Sequence, residues 1–247
     1  MKQGFLEQES KKANKRNRTR FLSFLFVYIC LVSVISFALK DSIDLNEYKS
    51  QKVVACLVII TGIMLISVVV GLAKAARVAT NGKNLILPFK ENTKEEVGKI
   101  INQEVSEGKI QIDEYIYEFK EGKKPYGERI ILLPSYLLLL NGMGKITAIP
   151  REKIYWICAQ VGRKGSSSFI VRLMIFTEKK TFYMEGTDVS HVENIAAKIY
   201  QYIPNIFSSY DPFVLSYELD KLFDKNREEF LKFYEAEKKK MLEENRG

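Results

Sequence analysis

"KIYWICAQVGRKGSSSFIVRLMIFTEKKTFYMEG", residues 153–186, holds the residues on which the fold turns. Ile, Tyr, Trp, Phe and Val crowd into runs too short for helices and are broken by Gly, Ser and Lys. Such runs read as strands. "KIYWICAQV" (153–161) is one strand, closed by the loop "GRKGSSS". "FIVRLMIFT" and "TFYME" pair across the tight turn Glu178-Lys179-Lys180. Upstream the same grammar continues in "IQIDEYIYEF" (110–119), "RIILL", "YLLLLN" and "KITAI", with Pro134, Gly142-Met143-Gly144 and Pro150 as punctuation. That makes about seven short strands joined by a few residues each, which points to an antiparallel sheet or barrel.

Helices flank the strands. "TKEEVGKIINQEV" carries a capping-box pattern at Thr93 and Glu96, an apolar face of Val97, Ile100, Ile101 and Val105, and a stop at Gly108. After Gly186, Ser190 and Glu193 form another capping-box pattern, and Val192, Ile195, Ala196, Ile199 and Ile203 recur at helical spacing until Pro204. A single amphipathic helix after about seven antiparallel strands is the order of a pleckstrin-homology (PH) fold, in which the helix plugs the open end of a small barrel. "AIPREKIYWICAQVGRKGSSSFIVRLMIFTEKKTFYMEG…HVENIAAKIYQYIPNI" resembles the second half of bacterial PH-like domains carried by small membrane proteins, with their "IP..KI.W" strand, hairpin and helix. The tail "YDPFVLSYELDKLFDKNREEFLKF" resembles the segment that follows this domain in a bacterial family with two transmembrane helices. The resemblance implies fold and topology, and it supplies no catalytic residues.

The tail has its own logic. Asp211-Pro212 offers an N-cap and a proline at the first helical position. Leu215, Leu219, Leu222, Phe223, Phe230, Phe233, Tyr234 and Met241 then recur at three- and four-residue steps. This amphipathic C-terminal helix, 211–247, has three uses open to it: docking on its own domain, pairing with a second copy, or meeting a partner protein.

The N-terminal third decides where the domain lives. Phe21 to Leu39 is a run of 19 residues without a charge, and Val53 to Ala73 a run of 21, separated only by "KDSIDLNEYKSQK". At 1.5 Å per residue the first spans about 28 Å, close to the hydrocarbon thickness of a bilayer. A basic start and Ser36-Phe37-Ala38 also fit a cleaved signal, but the run exceeds the usual apolar region of about 7–15 residues. The reading adopted is a two-helix transmembrane hairpin, 21–73, after a basic cytoplasmic tail, 1–20. Seven Lys and Arg precede the first run, three lie in the connection and are matched by three carboxylates, and the twenty or so residues after the second run carry five. The positive-inside rule therefore expects both termini in the cytoplasm and a multi-pass protein of the cell membrane. The linker and short helix then occupy 74–108 and the PH-like domain 109–206.

Charge and composition narrow the function classes. The formal charge of +8 divides into +5 from residues 1–20, +5 from 74–210 and −2 from the tail. A basic surface beside a bilayer points to anionic headgroups, and no array of basic and aromatic residues suited to nucleic acid stands out. Cys30, Cys56 and Cys158 form no framework or metal spacing, and no His/Cys cluster exists. Neither run contains an ionisable residue of the kind a proton or ion path needs. His191 is the only histidine, so nucleophilic catalysis would have to join it to Cys158, a residue that reads as a small strand hydrophobe. "GMGKIT" lacks the spacing of a phosphate loop.

The sequence thus predicts a non-enzymatic binding or scaffold module at the inner leaflet, with no catalytic, metal or cofactor residues. The rival is an accessory subunit of a larger membrane complex such as a transporter. Two features carry contact hypotheses. Lys123 and Lys124 in one strand connection, and Arg163 and Lys164 beside serines 166–168 in another, are candidates for a headgroup or another anion. Ser67, Gly71 and Ala75 fall four apart in the second run and present a small-residue face to another helix, either the first one through Ser33 or Ser36, or a second copy.

Overall fold

The computed structural model describes residues 4–38, 48–80, 84–89, 92–117, 127–142, 144–164, 168–203 and 221–244. The chain divides into two compact units, Met1–Asn84 and Leu85–Gly247.

The first unit is a pair of long helices, α1 (Phe5–Ala38) and α2 (Tyr48–Thr80). Helix α1 begins well before the apolar run, so the basic residues 11–20 are helical and continuous with it. The pair is antiparallel. The hydroxyls of Tyr28 and Thr61 share a hydrogen bond of 3.1 Å, and Phe21, further back on α1, meets Gly71, further along α2. The side chains of Phe24, Phe26, Val34, Val58 and Ile66 point outward and are exposed.

The second unit is α+β. A five-stranded sheet has the order β1-β5-β4-β3-β2, and a three-stranded sheet the order β6-β7-β8. Their spans are β1 (Leu85–Ile86), β2 (Ile112–Tyr115), β3 (Arg129–Leu132), β4 (Tyr136–Leu140), β5 (Ile146–Pro150), β6 (Ile154–Lys164), β7 (Ser168–Thr177) and β8 (Thr181–Gly186). Helix α3 (Lys94–Ser106) lies between β1 and β2, and α4 (Val189–Tyr200) follows β8. Residues 221–225 are helical and lead through Asn226 into α5 (Arg227–Glu244).

One hydrophobic core joins the two sheets. Ile130, Leu132, Leu137, Leu139 and Ile149 from the first sheet share it with Ile157, Leu173, Ile175 and Met184 from the second, and with Val192, Ile195 and Ile199 from α4. Strand periodicity explains the split, since alternate residues face opposite sides. The other residues of β3 and β4, such as Ile131 and Leu138, are also fully buried, so the first sheet is covered on both faces. Helix α3 belongs to that second layer. Its Val97 shares a small crevice with Tyr136 and Ala148, and its Glu104 accepts a hydrogen bond from the Ser135 hydroxyl.

Several sequence expectations need correction. Among the described residues the strands number eight, in two sheets, and no barrel closes. The first sheet is mixed, because β1 pairs in parallel with β5, Leu85 opposite Ile146. Two residues are too few to show a period, and their partner lies some sixty positions away, so this strand is invisible in sequence. The loop expected at "GRKGSSS" is shorter than read, because Gly162, Arg163 and Lys164 stay paired with Ile170, Phe169 and Ser168. The strand-favouring partners Ile170 and Phe169 hold that ladder together past Gly162. The expected strand 110–119 forms only over Ile112–Tyr115, with 118–119 outside the described residues.

Caps divide in the same way. Thr93 and Glu96 form the full capping box, and Gly108 follows the end of α3 with φ +72°. At α4 the cap is Asp188, whose carboxylate accepts the His191 backbone N–H at 2.8 Å, and Ser190 lies inside the helix. Asp188 and Ser190 both suit the role. A capping box at Ser190 would start the helix two residues later and leave Val189, which packs against the core, outside it.

Candidate functional site

The best-defined feature outside the two-sheet core is an aromatic platform on the outer face of the second sheet. In β7, Leu173 and Ile175 point to the core while Met174 and Phe176 point the other way, yet all four are buried. The tail supplies the cover. Trp156 stacks on its cross-strand partner Phe176 with ring centroids 4.5 Å apart. Phe223 meets Phe176 edge-on at 5.0 Å, Phe230 meets Phe223 at 5.0 Å, and Tyr234 meets Tyr155 at 5.0 Å. Phe223, Phe230 and Tyr234 are essentially inaccessible. Burial also raises the Tyr234 phenol above its ordinary range, with Glu235 adding to the effect.

Polar contacts fasten the cover at one corner. Arg227 donates to the backbone carbonyls of Glu178 and Lys179 in the β7–β8 turn and lies over the Phe223 ring. Lys153 pairs with Glu178 at 2.7 Å. Thus the first of the three uses open to the tail is realised over residues 221–234: it docks on its own domain. The proposed cap at Asp211-Pro212 lies outside the described residues.

Arg151 makes a second hub. Its guanidinium donates to the Gln111 side chain at 3.0 Å, to the Leu133 and Pro134 carbonyls, and to the Tyr202 carbonyl just past α4. Burial pushes its pKa down, partly countered by Glu104. This residue ties β2, the β3–β4 turn and the end of α4 together. Its place in "IPREK", one residue after a strand, gave no sign of that in sequence. Burial also raises the Glu128 carboxyl, a shift opposed by the Glu185 backbone N–H that it accepts.

The residues considered for chemistry are occupied structurally. His191 Nε2 lies 2.7 Å from the Tyr115 carbonyl. A carbonyl can only accept, so this nitrogen carries the proton and pins α4 to β2. Cys158 is half-buried on β6, in register with Met174. Among the described residues no group of three His, Cys, Asp or Glu side chains is placed to hold a metal.

The predicted contact residues fare differently. Lys123 and Lys124 lie outside the described residues. The backbones of Arg163 and Lys164 end β6, while their side chains are not described. In the small-residue stripe, a Cβ on Gly71 would sit 2.7 Å from the Phe21 ring, so this glycine lets α1 approach α2. The Ser67 hydroxyl turns back to the Ile63 carbonyl at 2.8 Å, and Ser33 likewise bonds its own helix at Ile29. The side chains of Ser36 and Ala75 lie outside those described. Close approach at this face therefore runs through Phe21, a residue the stripe argument did not single out because it is large.

Comparison with protein-family models, curated proteins and solved structures finds no match. The functional reading rests on the chain's own geometry.

Proposed function

We propose that the chain is a membrane-anchored, non-enzymatic PH-like binding or scaffold module, held at the inner leaflet by a two-helix hairpin with both termini in the cytoplasm. The carrying observation is the contrast between the two units. The second unit gathers most of its large apolar side chains into one core, whereas the hairpin turns many of its own outward, Phe24 being 72 % exposed and Ile66 65 %. Hydrocarbon is the solvent in which such a surface is stable. By length and composition one stretch among the described residues, Phe5–Val34, is long and apolar enough to cross a bilayer, and Val58–Gly71 in α2 is a shorter apolar stretch. Two sheets around one core with a helix after the last strand support the PH-like reading, short of a closed barrel.

The accessory-subunit alternative loses two of its handles. Phe21 fills the space at Gly71, and the tail spends Phe223, Phe230 and Tyr234 on its own sheet. The test is carbonate extraction of membranes followed by impermeant maleimide labelling of intact cells, in a chain whose three cysteines are replaced by alanine. Ser42→Cys in the connection is expected to label from outside, and Lys239→Cys on α5 only after lysis. Release by carbonate, or the reverse labelling pattern, would overturn the anchor or its orientation respectively.

A further inference from the structure

The turn between β7 and β8 has its acceptors occupied and its donors left over. Arg227 donates to the Glu178 and Lys179 carbonyls through one guanidinium nitrogen, Nη1. The Lys180 carbonyl accepts from the Thr177 backbone N–H at 3.3 Å and from the Thr177 hydroxyl at 2.5 Å. The turn's own carboxylate, Glu178, pairs with Lys153 at 2.7 Å. On the donor side, the Glu178 N–H goes to the Lys153 carbonyl and the Lys180 N–H to the Thr177 hydroxyl oxygen. The Lys179 N–H has no partner among the described residues. Nor does any carboxylate among them pair with Lys179, Lys180 or Arg227.

These three cations are positioned rather than loose. Lys179 Nζ lies 5.3 Å from the centroid of the Phe89 ring, Lys180 Nζ 4.5 Å from that of Phe182, and the Arg227 guanidinium carbon 4.2 Å from that of Phe223. A ring face attracts a cation without neutralising it. The two lysines are exposed and Arg227 is half-buried, so each keeps donors for another partner. The ends of a tight turn lie within about 7 Å of each other, and Arg227 is bonded to two of its carbonyls, so the three charges are rooted at one corner. With Lys153 and Glu178 cancelling, the corner carries a formal surplus of three positive charges, from Lys179, Lys180 and Arg227. Its complement is a group with several acceptor oxygens, no donors to place and more than one negative charge. Phosphate has that character, with three strong acceptor oxygens and a charge that approaches −2 for a monoester near neutrality.

We propose that this corner binds a phosphate group, between the Lys179 and Lys180 ammonium groups, the Lys179 backbone N–H and the unused N–H groups of Arg227. The assignment stands on the second unit alone. It goes beyond the anchored reading by giving the module a ligand class, at a place other than Lys123, Lys124, Arg163 and Lys164. Arg227 then has two duties, since the residue that fastens the tail to the turn also faces the ligand.

The experiment is lysine acetylation of the full chain in non-ionic detergent, read at each lysine by mass spectrometry at constant ionic strength. One arm exchanges chloride for millimolar inorganic phosphate, and the other exchanges phosphatidylcholine for phosphatidylglycerol in the micelles. Lys179 and Lys180 are expected to react about threefold more slowly in at least one arm, the protection reached when free ligand stands at about twice its Kd. Lys145, exposed between β4 and β5, should keep its rate. Protection in the phosphate arm supports the site with a free phosphate as sufficient ligand, and protection in the phosphatidylglycerol arm alone supports it with a lipid headgroup. Arg227→Ala should lose most of the protection. Because that change also loosens the tail, Lys180→Gln is read beside it at Lys179, where protection should fall while the Trp156 emission stays unchanged. No slowing in either arm, equal slowing at Lys145, or full protection retained by both variants would overturn the site.

Discussion

Gly71 and Gly62 stand nine residues apart on α2 and differ in what surrounds them. A side chain at Gly71 would meet the Phe21 ring at 2.7 Å, while at Gly62 there is nothing within 4 Å. Gly71→Val should force the helices apart and destabilise the hairpin by about 1–3 kcal/mol, the usual cost of overpacking. Gly62→Ala should be neutral or stabilise by up to about 1 kcal/mol through helix propensity. Thermal unfolding in detergent followed by circular dichroism distinguishes the pair, and equal effects would mean that α1 does not rest on Gly71. Gly186 is a similar close approach in the second unit, where a Cβ would lie 2.6 Å from the Val192 side chain and 3.2 Å from the Ile116 carbonyl.

Among elements, the tail has the clearest energetics. Phe223 and Phe230 are fully buried, and Phe223 stands edge to face with both Phe230 and Phe176. Phe230→Ala should cost about 3–5 kcal/mol in the second unit, as truncations of buried aromatics do, and should render the Trp156 emission more solvent-exposed. Phe233→Ala, on a side chain only partly buried against the same core, should cost less. Denaturant titration followed by tryptophan fluorescence reads both, since Trp156 is the only tryptophan in the chain. A negligible effect of Phe230→Ala would mean that the tail is not a structural layer.

The elements also show what sequence could and could not reveal. Helix α3 was legible to its caps because every signal for it is local: Thr93, Glu96, the three-and-four spacing and Gly108. The hairpin of β7 and β8 was legible for the same reason, a tight turn between two strand-rich runs. The division into two sheets was not, because alternation tells which residues share a face and not which strand lies beside them. The tail's apolar stripe was legible over Leu222, Phe223, Phe230, Phe233 and Tyr234, while the single helix expected over 211–247 breaks at Asn226, and Leu215, Leu219 and the Met241 side chain lie outside the described residues. The stripe's partner depends on Trp156 and Phe176, which lie far away in sequence and sit on the face of β6 and β7 that looks like the outside of a barrel. Of the candidate contact residues, Gly71 was legible as a small residue on a packing face, but the large residue that fills it, Phe21, was not. Arg151 reads as an ordinary strand-end cation until its four acceptors are assembled by the fold.

At the scale of the whole molecule, pH acts on the second unit through buried phenols. Tyr234, Tyr155 and Tyr136 are each held above the ordinary phenol range, first of all by burial. A raised phenol keeps its proton in the folded state when the unfolded chain has already lost it. The stability it contributes is therefore complete below about pH 10 and is lost as pH climbs through the raised values. Alkaline titration of the full chain should show tyrosinate absorbance appearing together with loss of tertiary fluorescence, and Tyr234→Phe should move that joint transition to higher pH. Tyrosinate formation without unfolding would contradict it.

The layer that finishes the second sheet is made well after the strands it covers. Trp156 and Tyr234 are separated by 78 positions, from 156 to 234, in the numbering of the chain. At about 5–20 residues per second, Trp156 and Phe176 wait roughly 4–16 s after Trp156 is made before Tyr234 is added. During that interval the nascent domain carries a bare aromatic surface, and on the anchored reading the hairpin ahead of it is already in the bilayer. Closure of that surface therefore waits for the tail, and on the same reading it takes place with the domain already tethered.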